Sequence, residues 1–173
     1  RQRQMCIRDS GYRVAVVPQP NWRDDLRDFK KLGAPRLYFG VNAGAMDSMV
    51  NHYTAGKRLR HDDAYTPEGK AGQRPDYAVS VYTNILKDLY PDVPVIIGGV
   101  EASLRRLTHY DYWKDELLPS ILQWCKADYL CYGMGEKPMI ELTRAIEAQR
   151  NIHEIHRIPQ IAFLMSGKWK VKE

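Results

Sequence analysis

Residues Val93–Ser103 read VPVIIGGVEAS. Val93–Gly98 is a short β-branched run without polar alternation, the pattern of a strand buried on both faces. The paired glycines Gly98 and Gly99 end it with a turn. Such a strand needs helices over both its faces, so this one segment already points to an α/β fold.

The flanks agree. Toward the C-terminus, Ala127–Tyr132 (ADYLCY) and Gln160–Met165 (QIAFLM) read as further strands, with a helix expected over Asp115–Trp124. Glu136–Gln149 is amphipathic, with Met139, Ile140, Leu142 and Ile146 turned inward. Toward the N-terminus, Pro75–Tyr90 places Ala78, Val81, Tyr82, Ile85, Leu86 and Leu89 on one helical face. Leu37–Val41 (LYFGV) and Gly11–Val17 (GYRVAVV) read as strands, Trp22–Lys31 and Ala43–Asn51 as helices. The expected architecture is a Rossmann-like, doubly wound, mainly parallel sheet.

A chain of 173 residues with 44% hydrophobic and 27% charged residues is of ordinary globular composition. Its apolar runs are far shorter than the roughly 18 residues of a membrane span. Three irregularly spaced cysteines make no disulfide framework, and a reducing, cytoplasmic compartment is expected. Residues 1–10 (RQRQMCIRDS) lead into no apolar periodicity and read as a non-native leader, outside the fold. Leaving out their three Arg and one Asp brings the net charge from +5 to +3, too little to argue for nucleic acid from charge alone. Residues 11–150 then form the domain, and 151–173 a linker and strand leading onward.

In open parallel sheets, ligands sit beyond the carboxyl ends of the strands. Here those ends carry the polar clusters. The insertion 52–74 has almost no aliphatic residues and cannot form a core of its own, so it is either a mobile surface loop or a functional one. It offers His52, Tyr53, Arg58, Arg60, Asp62, Asp63 and Tyr65 as ligand-binding candidates. After the paired glycines come Glu101, Arg105, Arg106, His109, Tyr110, Asp111 and Trp113, where guanidinium forks suit a carboxylate or phosphate. The structural alternative is that one of these arginines pairs with Glu101 or Asp111 to pin the loop, with Trp113 in the core. Glu136 closes the GMGE turn, as a helix cap or facing a ligand. No GxSxG elbow, GxGxxG fingerprint or P-loop lysine is legible, and no catalytic residue is assigned.

The strings NAGAMDSMVNHYTAGKRLRHDDAYTPEGKAGQRPD, VPVIIGGVEASLRRLTHYDYW and ADYLCYGMGEKP closely resemble the N-terminal domain of YgiQ-type radical SAM proteins. That resemblance implies a bacterial enzyme joining a Rossmann-like domain to its own C-terminal barrel, which holds a [4Fe–4S] cluster and S-adenosylmethionine. It names no substrate. It also implies that a strand and helix precede GYRVAVV, a unit missing here if residues 1–10 are foreign. The gap would lie between Gly11–Val17 and Leu37–Val41 and expose unpaired backbone.

A radical SAM cluster needs CxxxCxxC, and Cys125 and Cys131 have neither the number nor the spacing for it; no metal site is expected in this chain. The GG and GMGE turns are similar to those of cobalamin-binding domains, but no histidine sits in an Asp-x-His-x-x-Gly arrangement, which weighs against cobalamin. Two functions follow. The first is an accessory domain whose strand-end loops position substrate or cover the barrel mouth. The alternative is a stand-alone module for an anionic small molecule or nucleic acid, with nucleic acid disfavoured by the low net charge and the interleaved aspartates.

Overall fold

The computed structural model describes residues 2–150 and 155–165. Its centre is the quoted segment. Strand β2 (Val95–Gly98) lies between β1 (Phe39–Val41) and β5 (Tyr129–Cys131), parallel to both. Gly40 pairs with Ile96, and Ile97 with Leu130. Val95, Ile96 and Ile97 are all buried, which is why the run shows no alternation. Strand β6 (Ile161–Ala162) adds to β5 antiparallel, as the return of the chain after the last helix. The sheet order β1-β2-β5-β6 grows in one direction among the described strands.

Helices cover both faces. Helix α4 (Ala78–Leu89) buries Ala78, Val79, Tyr82 and Leu86 against Val95, Ile97 and Leu130. Ile121 and Leu122 of α6 (Ile121–Trp124) join the same layer. On the opposite face α7 (Glu136–Glu147) sets Leu142 and Ala145 against Ile96 and Cys131. The two crossovers β1 to β2 and β2 to β5 share one face, and α7 takes the other. This is the α/β, Rossmann-like arrangement the segment called for.

Several expected elements differ. Gly11–Val17 is not a strand: its residues have no ladder partner, and Val14 and Val16 are exposed. β-branched propensity makes a strand only where another strand supplies hydrogen bonds, and β1 stands at the edge of the sheet with no neighbour on its outer side among the described strands. Trp22–Lys31 shrinks to the one-turn α2 (Arg27–Lys30), because aspartates accept from nearby amides: Asp28 from Asn21, Asp24 from Leu26 and Asp25 from Arg27. Ala43–Asn51 becomes α3 (Ser48–His52), started late by Asp47, whose side chain accepts from the Met49 and Val50 amides. Asp115–Trp124 holds a strand and only a short helix: β3 (His109–Asp111) and β4 (Glu116–Leu118) form a hairpin before α6. Gln160–Met165 pairs over two residues only. Residues Gln2–Asp9, left out of the fold above, form helix α1 beside α7.

The paired glycines do more than stop β2. Gly99 has φ +80°, and a Cβ there would lie 3.2 Å from Asn42 Cβ. Glycine thus allows the turn into helix α5 (Gly99–Leu104) to press against the end of β1.

Candidate functional site

The carboxyl ends of β1, β2 and β5 gather the polar loops, and a buried network fixes them. Glu101, on α5, accepts from the Ser48 amide at 2.9 Å and the Val79 amide at 2.8 Å. One carboxylate therefore closes the first turns of α3 and α4 together. Arg105 pairs with Asp47 inside the protein and donates to the Glu101 carbonyl at 3.3 Å. Its guanidinium stacks over the Tyr77 ring at 5.3 Å. The Tyr77 hydroxyl donates to Asp111 at 2.8 Å, and Asp111 also accepts from the Trp113 and Lys114 amides.

Burial governs the titration of these groups but does not decide it alone. It pushes Asp111 up, yet the Lys114 amide, the Tyr77 hydroxyl and the Trp113 amide hold its carboxyl below the usual range. Burial lowers Arg105, and Asp47 more than restores it. Tyr77 is raised, first by burial and then by its bond to Asp111. Three of the sequence candidates, Glu101, Arg105 and Asp111, are thus turned inward to hold the loops. The arginine partner is Asp47 rather than the Glu101 or Asp111 carboxylate.

The insertion is tied down at both ends. His52 Nδ1 lies 2.7 Å from Asp76 Oδ1, and the Tyr53 hydroxyl donates to Asp76 Oδ2 at 2.7 Å. Tyr53 bridges to Leu59 and Asp62 to Lys70. Asp63 is buried against Arg74, which also donates to the Ala43 carbonyl at 2.8 Å. Burial raises Asp63, but the Tyr65 amide, the Asn51 side chain and Arg74 bring it below the ordinary carboxylate range. Arg58 and Tyr65 are exposed, with Arg74 5.9 Å from the Tyr65 ring.

Between the insertion and the Trp22 segment lies a cavity of about 360 Å³. Its lining brings together five sequence candidates, His52, Tyr53, Arg60, Asp62 and Asp63. Arg60 reaches back to the Tyr53 carbonyl at 3.2 Å. Residues that sequence reading missed complete the lining: Trp22, Arg23, Arg74 and Asp76. Asp76 lies 24 positions from His52, so nothing local announced the pair. Asp47 had a signal, an acidic residue directly before the run SMVNH, in cap position.

The hairpin stands at the rim. His109 Nδ1 lies 3.1 Å from the Leu107 carbonyl. Tyr110 is exposed and bonded to Asp115. Trp113 is not in the core; it is half-buried between Tyr53 and Tyr112, each ring centroid 5.3 Å away. The Tyr112 hydroxyl reaches the Ala55 carbonyl at 2.7 Å, tying hairpin to insertion. Arg106 donates to the Ser103 carbonyl and stacks over Tyr132 at 5.2 Å. Glu136 is the first residue of α7 and not its cap: Gly135 holds the cap position without a side-chain bond.

The cysteines do not fit an iron–sulfur cluster. Cys125 packs into the layer beneath α4 and Cys131 into the opposite layer, so the sheet separates their thiols. Burial pushes the Cys125 thiol up to about 11, away from the thiolate such a ligand needs. Among the described residues no group of three His, Cys, Asp or Glu side chains is placed to hold a metal ion. No described helix is long and apolar enough to cross a membrane.

Comparison with known proteins gives a consistent answer. The family model described as radical SAM N-terminal matches residues 4–173. A UPF0313 protein of Porphyromonas gingivalis is 64% identical over 162 residues, covering 93% of this chain and 26% of the relative. One from Bacteroides thetaiotaomicron is 60% identical over 165 residues, with 89% and 27% covered. The UPF0313 protein YgiQ of Escherichia coli K12 is 51% identical over 155 residues, with 90% and 21% covered. This chain therefore spans about a quarter of the length of such relatives. No solved structure matches it.

Proposed function

The chain belongs to the radical SAM N-terminal family, and from that premise we propose that it is an accessory domain whose strand-end loops seat on the protein's own C-terminal barrel, covering the barrel mouth and helping to position substrate. In this reading the full-length protein is a cytoplasmic radical SAM enzyme with a [4Fe–4S] cluster and S-adenosylmethionine held by residues of the barrel. Their chemistry is a 5′-deoxyadenosyl radical, and this chain's part is to shape the chamber and exclude water.

The observation that carries the proposal is where the exposed apolar side chains lie. Val100 and Leu104, one turn apart on α5, stand exposed with Leu107 just beyond the helix. Tyr110 and Leu117 face each other across the hairpin, both exposed, and Leu117 is 73% accessible. Met134, in the turn after β5, is 74% accessible. All follow the carboxyl ends of β2 and β5, and Arg106 over Tyr132 links the two loops. Apolar groups gathered at one end of a domain mark an interaction surface. The relatives carry roughly three quarters of their length outside the matched region, which supports a partner within the same chain.

Hydrogen exchange on the full-length protein tests the docking. Amides of 104–118 and 133–135 are expected to exchange slowly; exchange at the rate of an open surface loop would overturn the docking. Anaerobic reconstitution with iron, sulfide and S-adenosylmethionine tests the class. Formation of 5′-deoxyadenosine is expected, and its absence from a fully loaded protein would overturn the radical reading.

A further inference from the structure

Two rim segments that lie far apart in the sequence are built as one body. The insertion tip closes on itself. The Thr54 amide donates to the Arg58 carbonyl at 2.8 Å, the Lys57 amide to the Thr54 carbonyl at 3.0 Å, and the Arg60 amide to the His52 carbonyl at 2.7 Å. The hairpin of β3 and β4 is closed by its own ladder and by Asp111, which accepts from the Trp113 and Lys114 amides. Polar bonds bridge the two. The Tyr112 hydroxyl donates to the Ala55 carbonyl at 2.7 Å, and Lys57 Nζ donates to the Trp113 carbonyl at 3.5 Å. The same ammonium lies 4.8 Å from the centre of the Tyr112 ring, and the Tyr53 ring packs on Trp113.

Their fastenings to the domain body are neighbours too. Asp76 holds the insertion, meeting His52 Nδ1 and accepting from the Tyr53 hydroxyl. Tyr77 holds the hairpin, its hydroxyl donating to Asp111 at 2.8 Å. Tyr77 occupies the cap position of α4 with φ +51° and ψ +51°. A bulky residue keeps that left-handed state only where its surroundings over-determine it. Here Arg105 lies over its ring at 5.3 Å, Lys114 at 5.2 Å, and Trp124 meets it edge-on at 5.5 Å. One dipeptide is thereby the tether of both segments.

We propose that residues 53–60 and 109–118 form a single lid, latched by Asp76 and Tyr77, so that displacement of the hairpin is carried to the insertion. On the hairpin, Tyr110 and Leu117 are exposed to whatever docks there. On the insertion, Tyr53, Leu59 and Arg60 line the cavity. Events at the docking surface and at the cavity wall are then coupled, through bonds that can be cut one at a time.

Hydrogen exchange on the full-length protein tests the coupling. Tyr77→Phe keeps the ring and removes a bond that belongs to the hairpin. Amides of 110–115 are expected to exchange about tenfold faster, as the loss of one bond to a charged acceptor implies. Amides of 54–60, where nothing was substituted, are expected to exchange about threefold faster, while those of α7 keep their rates. In a Tyr112→Phe/Lys57→Ala background the polar bridges are gone. There Tyr77→Phe is expected to speed the hairpin again, and most of the insertion's response to vanish. Failure of either segment to respond with the bridges intact would overturn the proposal. So would an insertion response that persists undiminished in the cut background, or one matched in α7, which marks loosening of the whole domain. The coupling is read as ratios between variants. It therefore stands or falls apart from barrel docking, which is read from the absolute rates of 104–118.

Discussion

Glu101 Oε2 accepts from the Ser48 amide at 2.9 Å although 53 positions separate the two residues. Its other oxygen accepts from Val79 at 2.8 Å. An acid buried to 1% exposure is thus used wholly as an acceptor, and its two partners are the opening turns of two different helices. Glu101→Gln would put an amide NH₂ against one of those N–H groups. A loss of about 2–4 kcal/mol in unfolding free energy is expected, from one charge-assisted bond lost and one buried donor left unpaired. Denaturant melts followed by circular dichroism measure it. A change well below 1 kcal/mol would show the carboxylate to be dispensable.

Arg105 and Asp47 form the second fastening of the same corner, both nearly out of solvent. Removing one partner strands the other charge. Arg105→Met and Asp47→Asn are each expected to cost roughly 3–5 kcal/mol, and the double variant clearly less than the sum. Additive losses in the double-mutant cycle would mean that the pair is not coupled.

Acid should act on this corner and on the insertion. Asp63 and Asp111 are both held below the usual carboxylate range in the folded protein. The unfolded chain therefore takes up protons first as the pH falls. The stability these two groups contribute is complete above an ordinary aspartate pKa of about 4 and is lost as the pH drops through their lower folded values. Stability measured between pH 6 and 2 is expected to decline mainly below about pH 4, and Asp63→Asn to flatten part of that decline. A profile unchanged by Asp63→Asn would count against the assignment.

The sheet and its two long helices could be read from the sequence because burial on both faces removes polar residues, as in Val95–Ile97, and because one-sided burial spaces them helically, as in Ala78, Tyr82 and Leu86. The hairpin could not. Tyr110 and Leu117 are exposed, so the pair carries no inward pattern, and its turn is held by Asp111 accepting from the Trp113 and Lys114 amides, bonds no periodicity announces. Gly11–Val17 misled for the opposite reason: its composition fits a strand, but pairing is a property of the neighbour and not of the segment. At the site, the candidate residues were visible by type while their partners were not. His52 and Asp76, or Arg105 and Asp47, meet only after the sheet has brought their loops together.

Thiol chemistry separates the cysteines. Cys125 and Cys131 are buried in opposite layers, and Cys125 is pushed up to about 11 by burial, whereas Cys6 is partly accessible. With an aromatic disulfide reagent at pH 8, peptide-resolved mass spectrometry is expected to find Cys6 labelled in the native chain. Cys125 and Cys131 should label only in denaturant. Rapid native labelling of Cys125 would contradict its place in the core.

The outer side of β1 is where the isolated 173-residue chain should fail. Parallel strands bond to their two neighbours through alternate residues. The Phe39 amide donates to the Pro94 carbonyl on the β2 side, so the Gly40 amide points the other way, where no described strand lies. Gly40 is exposed and a Cβ there would meet nothing within 4 Å, so no side chain screens this edge. Val14 and Val16, in a β-prone run without a ladder, stand exposed elsewhere on the same chain. An open edge together with an unpaired β-prone run favours pairing between copies. Light scattering is expected to show concentration-dependent association of the chain, and Gly40→Lys to reduce it by placing a charge on the edge. A monomer that stays monodisperse and melts at the same temperature with or without Gly40→Lys would show that the edge is already protected.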